Sequence, residues 1–167
     1  MIMRAPEPDD LDFIYACENH SDRLLHGRTG LMLSKHQLKE YIEKYQDRAL
    51  ASGQIRFIID NDNHAVGILD LFEMDHSSMK ASIAIFIHET ERRKGLAAEA
   101  ILFAKEFARD EMGLHQIIAT VSSSNIPSVN LFEKTGFQRI AVLPEWTRNR
   151  NGSLVDAYLY RTKLNPN

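Results

Sequence analysis

The chain has one cysteine, Cys17, among 167 residues. No internal disulfide can form, and such a composition suits a reducing compartment, the cytoplasm. Cys17 follows the apolar stretch Phe13-Ile14-Tyr15-Ala16, which predicts a buried, inert thiol. Long hydrophobic runs are missing too. Stretches such as Ile83 to Ile87 fall far short of the ~20 apolar residues a membrane-spanning helix needs. Met1-Ile2-Met3-Arg4 does not lead a charged region into an apolar stretch, so no secretory signal is expected. There is no excess of positive charge: the formal net charge is −3, which gives no global attraction to nucleic acid, and Arg148 and Arg150 are not interleaved with aromatics. The seven histidines are scattered and no His/Cys pair has ligand spacing, so no metal is expected. Neither G-x-x-x-x-G-K-[ST] nor G-x-G-x-x-G occurs, which excludes a P-loop and a dinucleotide fingerprint.

What is present reads as a single domain over 1–167. Hydrophobic residues make up 44% and charged residues 26%, enough for a core in one α/β unit. Ile2 to Arg4 predicts an edge strand. Pro6 to Asp10 opens a helix carrying Leu11, Ile14 and Tyr15, with Asp9 and Asp10 suited to its N-terminal dipole. Residues 20–33 read as a partly apolar loop. Ser34-Lys35-His36-Gln37 is a capping box opening a helix to about Leu50. Strands follow at Ile55 to Ile59 and Val66 to Phe72, joined by Asn61-Asp62-Asn63. Ile83 to Ile87 has no alternation, as in a strand covered on both faces. Apolar residues then recur at helical spacing from Leu96 to about Met112, with Gly113 as the stop. Ile117 to Val121 is a further strand, Ser124-Asn125-Ile126-Pro127 a cap for a short helix closing at Gly136. Phe137 to Leu143 and Leu154 to Tyr160 are the last strands. This order predicts a mixed sheet with helices on both faces.

The junction between the fourth strand and the long helix carries the chemistry. Arg92, Arg93 and Lys94 sit at the start of a helix, where positive charge opposes the macrodipole by about 0.3–1 kcal/mol each. Free N–H groups there, flanked by cations, make an anion site. Gly95 and Ala97 keep the surface small enough for an extended ligand to approach the backbone. A solvated basic loop before an ordinary helix is the plain alternative.

The stretch Ile87-His88-Glu89-Thr90-Glu91-Arg92-Arg93-Lys94-Gly95-Leu96-Ala97 resembles motif A of the GNAT superfamily of N-acetyltransferases, whose signature is [QR]-x-x-G-x-[GA]. Arg92, Gly95 and Ala97 fill those positions, while Glu89 stands where the family has proline. A second block, from Asn125 through Ser128, Leu131, Phe132, Glu133, Lys134 and Gly136 to Phe137, resembles motif B. The resemblance implies a largely antiparallel sheet of six to seven strands with about four helices on both faces. It implies acetyl-CoA as acetyl donor. Backbone groups of Ile85, Phe86 and Ile87 would pair with the pantetheine arm. N–H groups from Arg92, Arg93, Lys94, Gly95, Leu96 and Ala97 would hold the pyrophosphate, with Asn125, Ser128, Phe132 and Lys134 completing the cofactor contacts. For Asn125 a pure helix cap is the competing role.

The implied reaction is direct acetyl transfer to a primary amine, which must lose a proton first because its pKa lies near 10. An N–H near Ile87 is the candidate oxyanion donor. Two usual groups are missing: Phe132 occupies the place of the family's proton-donating tyrosine, and Ser82 stands where a glutamate is common. Ser128 is the candidate acid, and Glu73, Asp75 and His76 are the candidate bases. The stretches Gly67 to His76 and Asn149 to Tyr158 resemble the branch holding diamine and spermidine acetyltransferases and ribosomal-protein N-terminal acetyltransferases, in which Asp156 would be structural. The acceptor would be a small-molecule amine or a peptide N-terminus. Glu18, Asp22, Glu73 and Asp75 would suit a polyamine, whereas His26 and Arg28 argue against a strongly cationic one. The chain is expected to act as a monomer or homodimer, without nucleic acid or membrane partners. A non-catalytic acyl-CoA-binding module is the alternative that Phe132 and Ser82 raise.

Overall fold

Elements alternate in the order the hydrophobic periodicities predict. In the computed structural model, which describes residues 1–22, 31–45, 53–149 and 151–164, the strands are β1 (Ile2–Arg4), β2 (Ile55–Asn61), β3 (His64–Asp75), β4 (Lys80–Ile87), β5 (Gln116–Ser122), β6 (Gln138–Arg148) and β7 (Leu154–Lys163). The α-helices among the described residues are α1 (Leu11–Glu18), α2 (Lys35–Glu43), α3 (Leu96–Asp110) and α4 (Ile126–Lys134). One seven-stranded sheet has the order β1-β2-β3-β4-β5-β7-β6, antiparallel except between β4 and β5.

Local side-chain chemistry caps α2 and the turn that leads into α1. Ser34 Oγ accepts from Gln37 N at 3.2 Å and Ser34 N donates to Gln37 Oε1 at 2.9 Å, the reciprocal pair the sequence predicts for α2. That helix ends at Glu43; the expectation that it runs to Leu50 falls, for residues 46–50, outside the described residues. A short 3-10 turn, Pro8–Asp10, precedes α1. Asp10 accepts from Glu7 N at 2.8 Å and takes a two-pronged bond from Arg4 at 2.7 and 2.8 Å. Arg4 also reaches Asp60 at 3.0 Å, so one guanidinium ties β1, the start of α1 and β2. Burial alone would raise the Asp10 carboxyl, but Arg4 and the Glu7 N–H hold it below its ordinary value.

The sheet divides the core into two layers. One joins α3 and α4 to Leu69, Leu71, Ile83, Ile87 and Ile117. The other joins Ile14 and Cys17 of α1 and Leu38 and Ile42 of α2 to Ile58, Ile68 and Phe86. Cys17 is buried, 1% exposed. Each fully buried Ile or Leu contributes about 1.5–3 kcal/mol. The α1/α2 layer also holds a buried ionic cluster: Arg56 forks onto Asp70 at 2.7 and 2.8 Å and reaches Glu18 at 2.7 Å. The Tyr45 hydroxyl donates to Arg56 O and accepts from Arg56 N, taking the place of a strand partner beyond the end of β1. The Tyr41 ring lies 5.3 Å from the guanidinium, and burial pushes its phenol up to about 12.

Candidate active site

The site starts from a parting of strands. β4 and β5 pair only at Lys80↔Gln116, Ala81↔Ile117 and Ser82↔Ile118. Beyond that point β4 stays on β3 as far as Ile87, while β5 stays on β7 as far as Ser122. Among the described residues the backbone of β4 from Ile83 onward therefore has no strand on its β5 side, and Ile85, Phe86 and Ile87 lie along this fork. Unpaired backbone groups on a strand edge are what an extended amide-bearing ligand can pair with. Opposite Ile87, Gly67 is held to glycine by space: a Cβ there would lie 2.6 Å from the Phe86 carbonyl oxygen. β3 thus approaches the end of β4 unusually closely.

The end of the fork leads into the basic turn. A 3-10 turn, Glu89–Glu91, comes first, and Arg93 and Gly95 then adopt positive φ, 65° and 85°. Gly95 is the N-cap of α3, and a Cβ on it would meet nothing within 4 Å. Among the described residues the N–H groups of Arg93, Lys94 and Gly95 have no backbone acceptor, and those of Leu96 and Ala97 open the helix without intrahelical partners. Positive-φ residues alternating along such a turn form an anion-binding concavity. The donors and the open space fit a pyrophosphate. Arg92 departs from the sequence expectation: its N–H donates to Glu89 O at 3.4 Å, and its guanidinium bonds Ile87 O and Asp22, each at 3.0 Å. It braces the turn against β4 and the residues after α1. Lys94 pairs with Glu91 at 2.9 Å.

Across the fork, α4 places the second motif. Asn125 is the N-cap, its Oδ1 accepting from Ser128 N at 3.3 Å, so the capping role is realised. Ser128 lies in the first turn, half-buried, and Lys134 is exposed at the C-terminal end. Phe132 is buried, 5% exposed, edge-on to Phe137 at 5.0 Å and stacked on Tyr160 at 6.3 Å. Asp156 accepts from Glu145 N at 3.0 Å, pinning the β6 irregularity where Glu145 has φ 50°.

The candidate bases separate. Asp75 organises the β3–β4 hairpin turn, accepting from Ser77 Oγ at 2.7 Å and Ser78 N at 3.0 Å, and these bonds hold its carboxyl well below the usual range. His76 is exposed on the same turn, beyond the Lys80↔Gln116 pair and therefore at the closed end of the fork. Glu73 alone among the three reaches the apex: its Oε2 accepts from Ser82 Oγ at 3.0 Å. Glu18 is bound into the Arg56 cluster and Asp22 to Arg92. His26 and Arg28 lie outside the described residues.

Sequence reasoning missed His20. Its ring lies 5.3 Å from Phe86 on the α1/α2 face, and Nδ1 accepts from Asp22 N at 3.2 Å, which leaves Nε2 as the proton-bearing nitrogen of the neutral ring. Only a fold-level placement of the residues after α1 against β4 could have found it. Among the described residues no cluster of three or more His, Cys, Asp or Glu side chains is placed to hold a metal, and no helix is long and apolar enough to cross a membrane.

Comparison with known proteins agrees with this architecture. Residues 1–138 match the family model of the acetyltransferase (GNAT) domain. The chain is 30% identical over 142 residues to the SPbeta prophage-derived N-acetyltransferase YokL of Bacillus subtilis (strain 168), covering 83% of this chain and 76% of that protein. It is 22% identical over 135 residues to the spermidine N(1)-acetyltransferase of Escherichia coli (strain K12), covering 81% and 71%. The crystal structure of spermidine N-acetyltransferase from Vibrio cholerae in complex with CoA and spermine superposes with a TM-score of 0.85 at 26% identity, covering 98% of this chain and 95% of that one. With a strand fork, an anion-binding turn at the α3 N-terminus and these relatives, the chain belongs to the GNAT family and is an acetyl-CoA-dependent N-acetyltransferase.

Proposed function

We propose that the acceptor is a primary amine of a diamine or polyamine. The observation that supports this reading most is the charge on the α1/α2 side of the fork. Among the described residues Glu18 and Asp70 bind Arg56, Asp22 binds Arg92, Glu89 stands 4.0 Å from His20, and Glu73 accepts from Ser82. Of these carboxylates Glu73 and Glu89 are exposed. Carboxylates on that face would attract a polycation and hold its distal ammonium groups while one nitrogen reacts. Spermidine acetyltransferases among the relatives support the same class of acceptor.

Ile85, Phe86 and Ile87 would take the pantetheine arm, and the N–H groups from Arg93 through Ala97 the pyrophosphate, with Arg93 and Lys134 as nearby cations. Bound there, acetyl-CoA supplies an acyl group activated as a thioester. With Phe132 in place of a tyrosine, Ser128 is the proposed proton donor toward the departing sulfur. His76, at the closed end of the fork, takes no part. A single buried thiol suits action in the cytoplasm.

The test is release of free CoA from acetyl-CoA in the presence of putrescine, spermidine, spermine, a peptide with a free N-terminus or an aminoglycoside. The expected result is release with the polyamines, saturating at the lowest concentration for the longest. Release with the peptide alone would overturn the polyamine reading.

A further inference from the structure

The apex of the fork holds a strained residue. Glu73 has a φ of 52°, a left-handed conformation that costs a non-glycine residue free energy and that collects at functional sites. The β3–β4 register shifts between Phe72 and Asp75 at the same place. In a regular strand Glu73 would follow Leu71 onto the α3/α4 face. The bulge instead lets Met74 pack against that core and throws Glu73 to the other face. Phe72 is paired with Ser82, and Ser82, Ala84 and Phe86 share the α1/α2 face by alternation. There the Ser82 hydroxyl donates to Glu73 Oε2 at 3.0 Å. Ser82 is also the last β4 residue paired with β5.

We infer that Glu73 and Ser82 form a composite acceptor-activating pair: β4 offers only a hydroxyl where the fork opens, and the β3 bulge brings the missing carboxylate to it from the neighbouring strand. Ser82 Oγ, donating to the carboxylate, keeps its lone pairs to accept a hydrogen bond from the acceptor ammonium. One ammonium proton passes to Ser82 Oγ as the Ser82 proton passes to Glu73 Oε2. The freed nitrogen pair forms the N–C bond to the thioester carbonyl. When the C–S bond breaks, Ser128 gives its proton to the sulfur and is restored by the second nitrogen proton, so the products are the amide, the thiol and a protonated Glu73 that returns its proton to solvent. This step requires acetyl transfer to an amine but not that the amine be a polyamine.

The experiment compares kcat, KM and the pH–rate profile of the native chain with Glu73→Gln, Ser82→Ala and the double variant Glu73→Gln, Ser82→Glu. The acceptor is whichever of spermidine and a peptide N-terminus the native chain acetylates, so failure of the polyamine reading leaves the test intact. Glu73→Gln is expected to lower kcat about 100-fold at neutral pH, the size of a lost general base. The loss should shrink as pH approaches the amine's own pKa, with acetyl-CoA affinity unchanged. Ser82→Ala should lose about 10-fold, and the double variant should recover most of kcat by placing a carboxylate directly on β4. Glu73→Gly supplies an independent readout: relief of the left-handed strain should raise the melting temperature by about 2–4 °C while kcat falls as in Glu73→Gln. A Glu73→Gln kcat equal to native at neutral pH, or a loss confined to KM with an unaltered pH profile, overturns the inference.

Discussion

The two sides of the fork are built in opposite ways. On the proposed cofactor side the available donors are backbone N–H groups of consecutive residues, Arg93 to Ala97, fixed by two positive-φ positions and a helix start. On the proposed acceptor side, side chains from α1, β2, β3 and the segments after α1 and β4 meet through ion pairs whose partners lie apart in sequence, Arg92 with Asp22 across 70 residues and Arg56 with Asp70 across 14. A site made of contiguous backbone tolerates most side chains but demands one local conformation. A site made of converging side chains demands that the whole fold be in place. The first is robust and recognisable; the second is where the choice of acceptor is proposed to lie.

The comparison can be broken most forcefully on the acceptor side. Asp70→Ala leaves the buried Arg56 guanidinium with half its partners, and the expected cost is about 3–5 kcal/mol, read as a fall in urea midpoint. A midpoint near native would show that the cluster is not what holds α1 to the sheet. On the cofactor side, Gly95→Glu is expected to weaken acetyl-CoA binding by about 100-fold, or about 2.7 kcal/mol. The chain should stay folded, because a Cβ there enters open space and only the left-handed backbone resists it. Circular dichroism with titration calorimetry separates the two effects.

Smaller effects sharpen the boundary between the two sides. Phe132→Tyr puts a hydroxyl among Phe137 and Tyr160 and should cost about 1–3 kcal/mol if it finds no partner, with turnover held within twofold or raised. A large loss of turnover would mean that the ring position shapes the thiol site. Asn125→Ala should cost about 1 kcal/mol as a lost cap and leave acetyl-CoA affinity nearly unchanged; a tenfold loss of affinity would make Asn125 a ligand contact as well. Farther away, Asp10→Asn tests the Arg4 tie. The folded carboxyl lies below its ordinary value of 3.8, so its stabilisation is present above that value and disappears as pH falls through the folded one. The native and Asp10→Asn chains should therefore differ in melting temperature at neutral pH and converge in acid. A constant gap would assign the difference to packing instead of charge.

Most of the fold was legible because its elements follow their periodicities. The apolar run Ile83 to Ile87 is a strand between two packed layers, and the 3.6-residue spacing after Leu96 is a helix ending at Asp110. The capping box at Ser34 and the stop at Gly113, φ 61°, were local signals of the same kind. The basic turn was legible as a candidate anion site, since cations at a helix start are unfavourable unless an anion offsets them. The acceptor side was only partly legible. Glu73, Asp75 and His76 are neighbours in sequence, yet a one-residue bulge sends Glu73 to the fork while Asp75 and His76 stay on the hairpin turn. No spacing rule announces a bulge at Glu-Met, and none announces that the His20 ring will lie against Phe86. Strand ends were misplaced by a few residues for a related reason: β6 runs on to Arg148 past Pro144 because it is an edge strand with irregular pairing.

One titration measures how far the two sides of the fork are separable: acetyl-CoA added to Gly95→Glu and to Glu73→Gln under the same conditions. The predicted result is affinity about 100-fold weaker in Gly95→Glu and kept within about twofold of native in Glu73→Gln, although both acetylate the amine more slowly at neutral pH. Native affinity in Gly95→Glu, or affinity lost in Glu73→Gln, would contradict it.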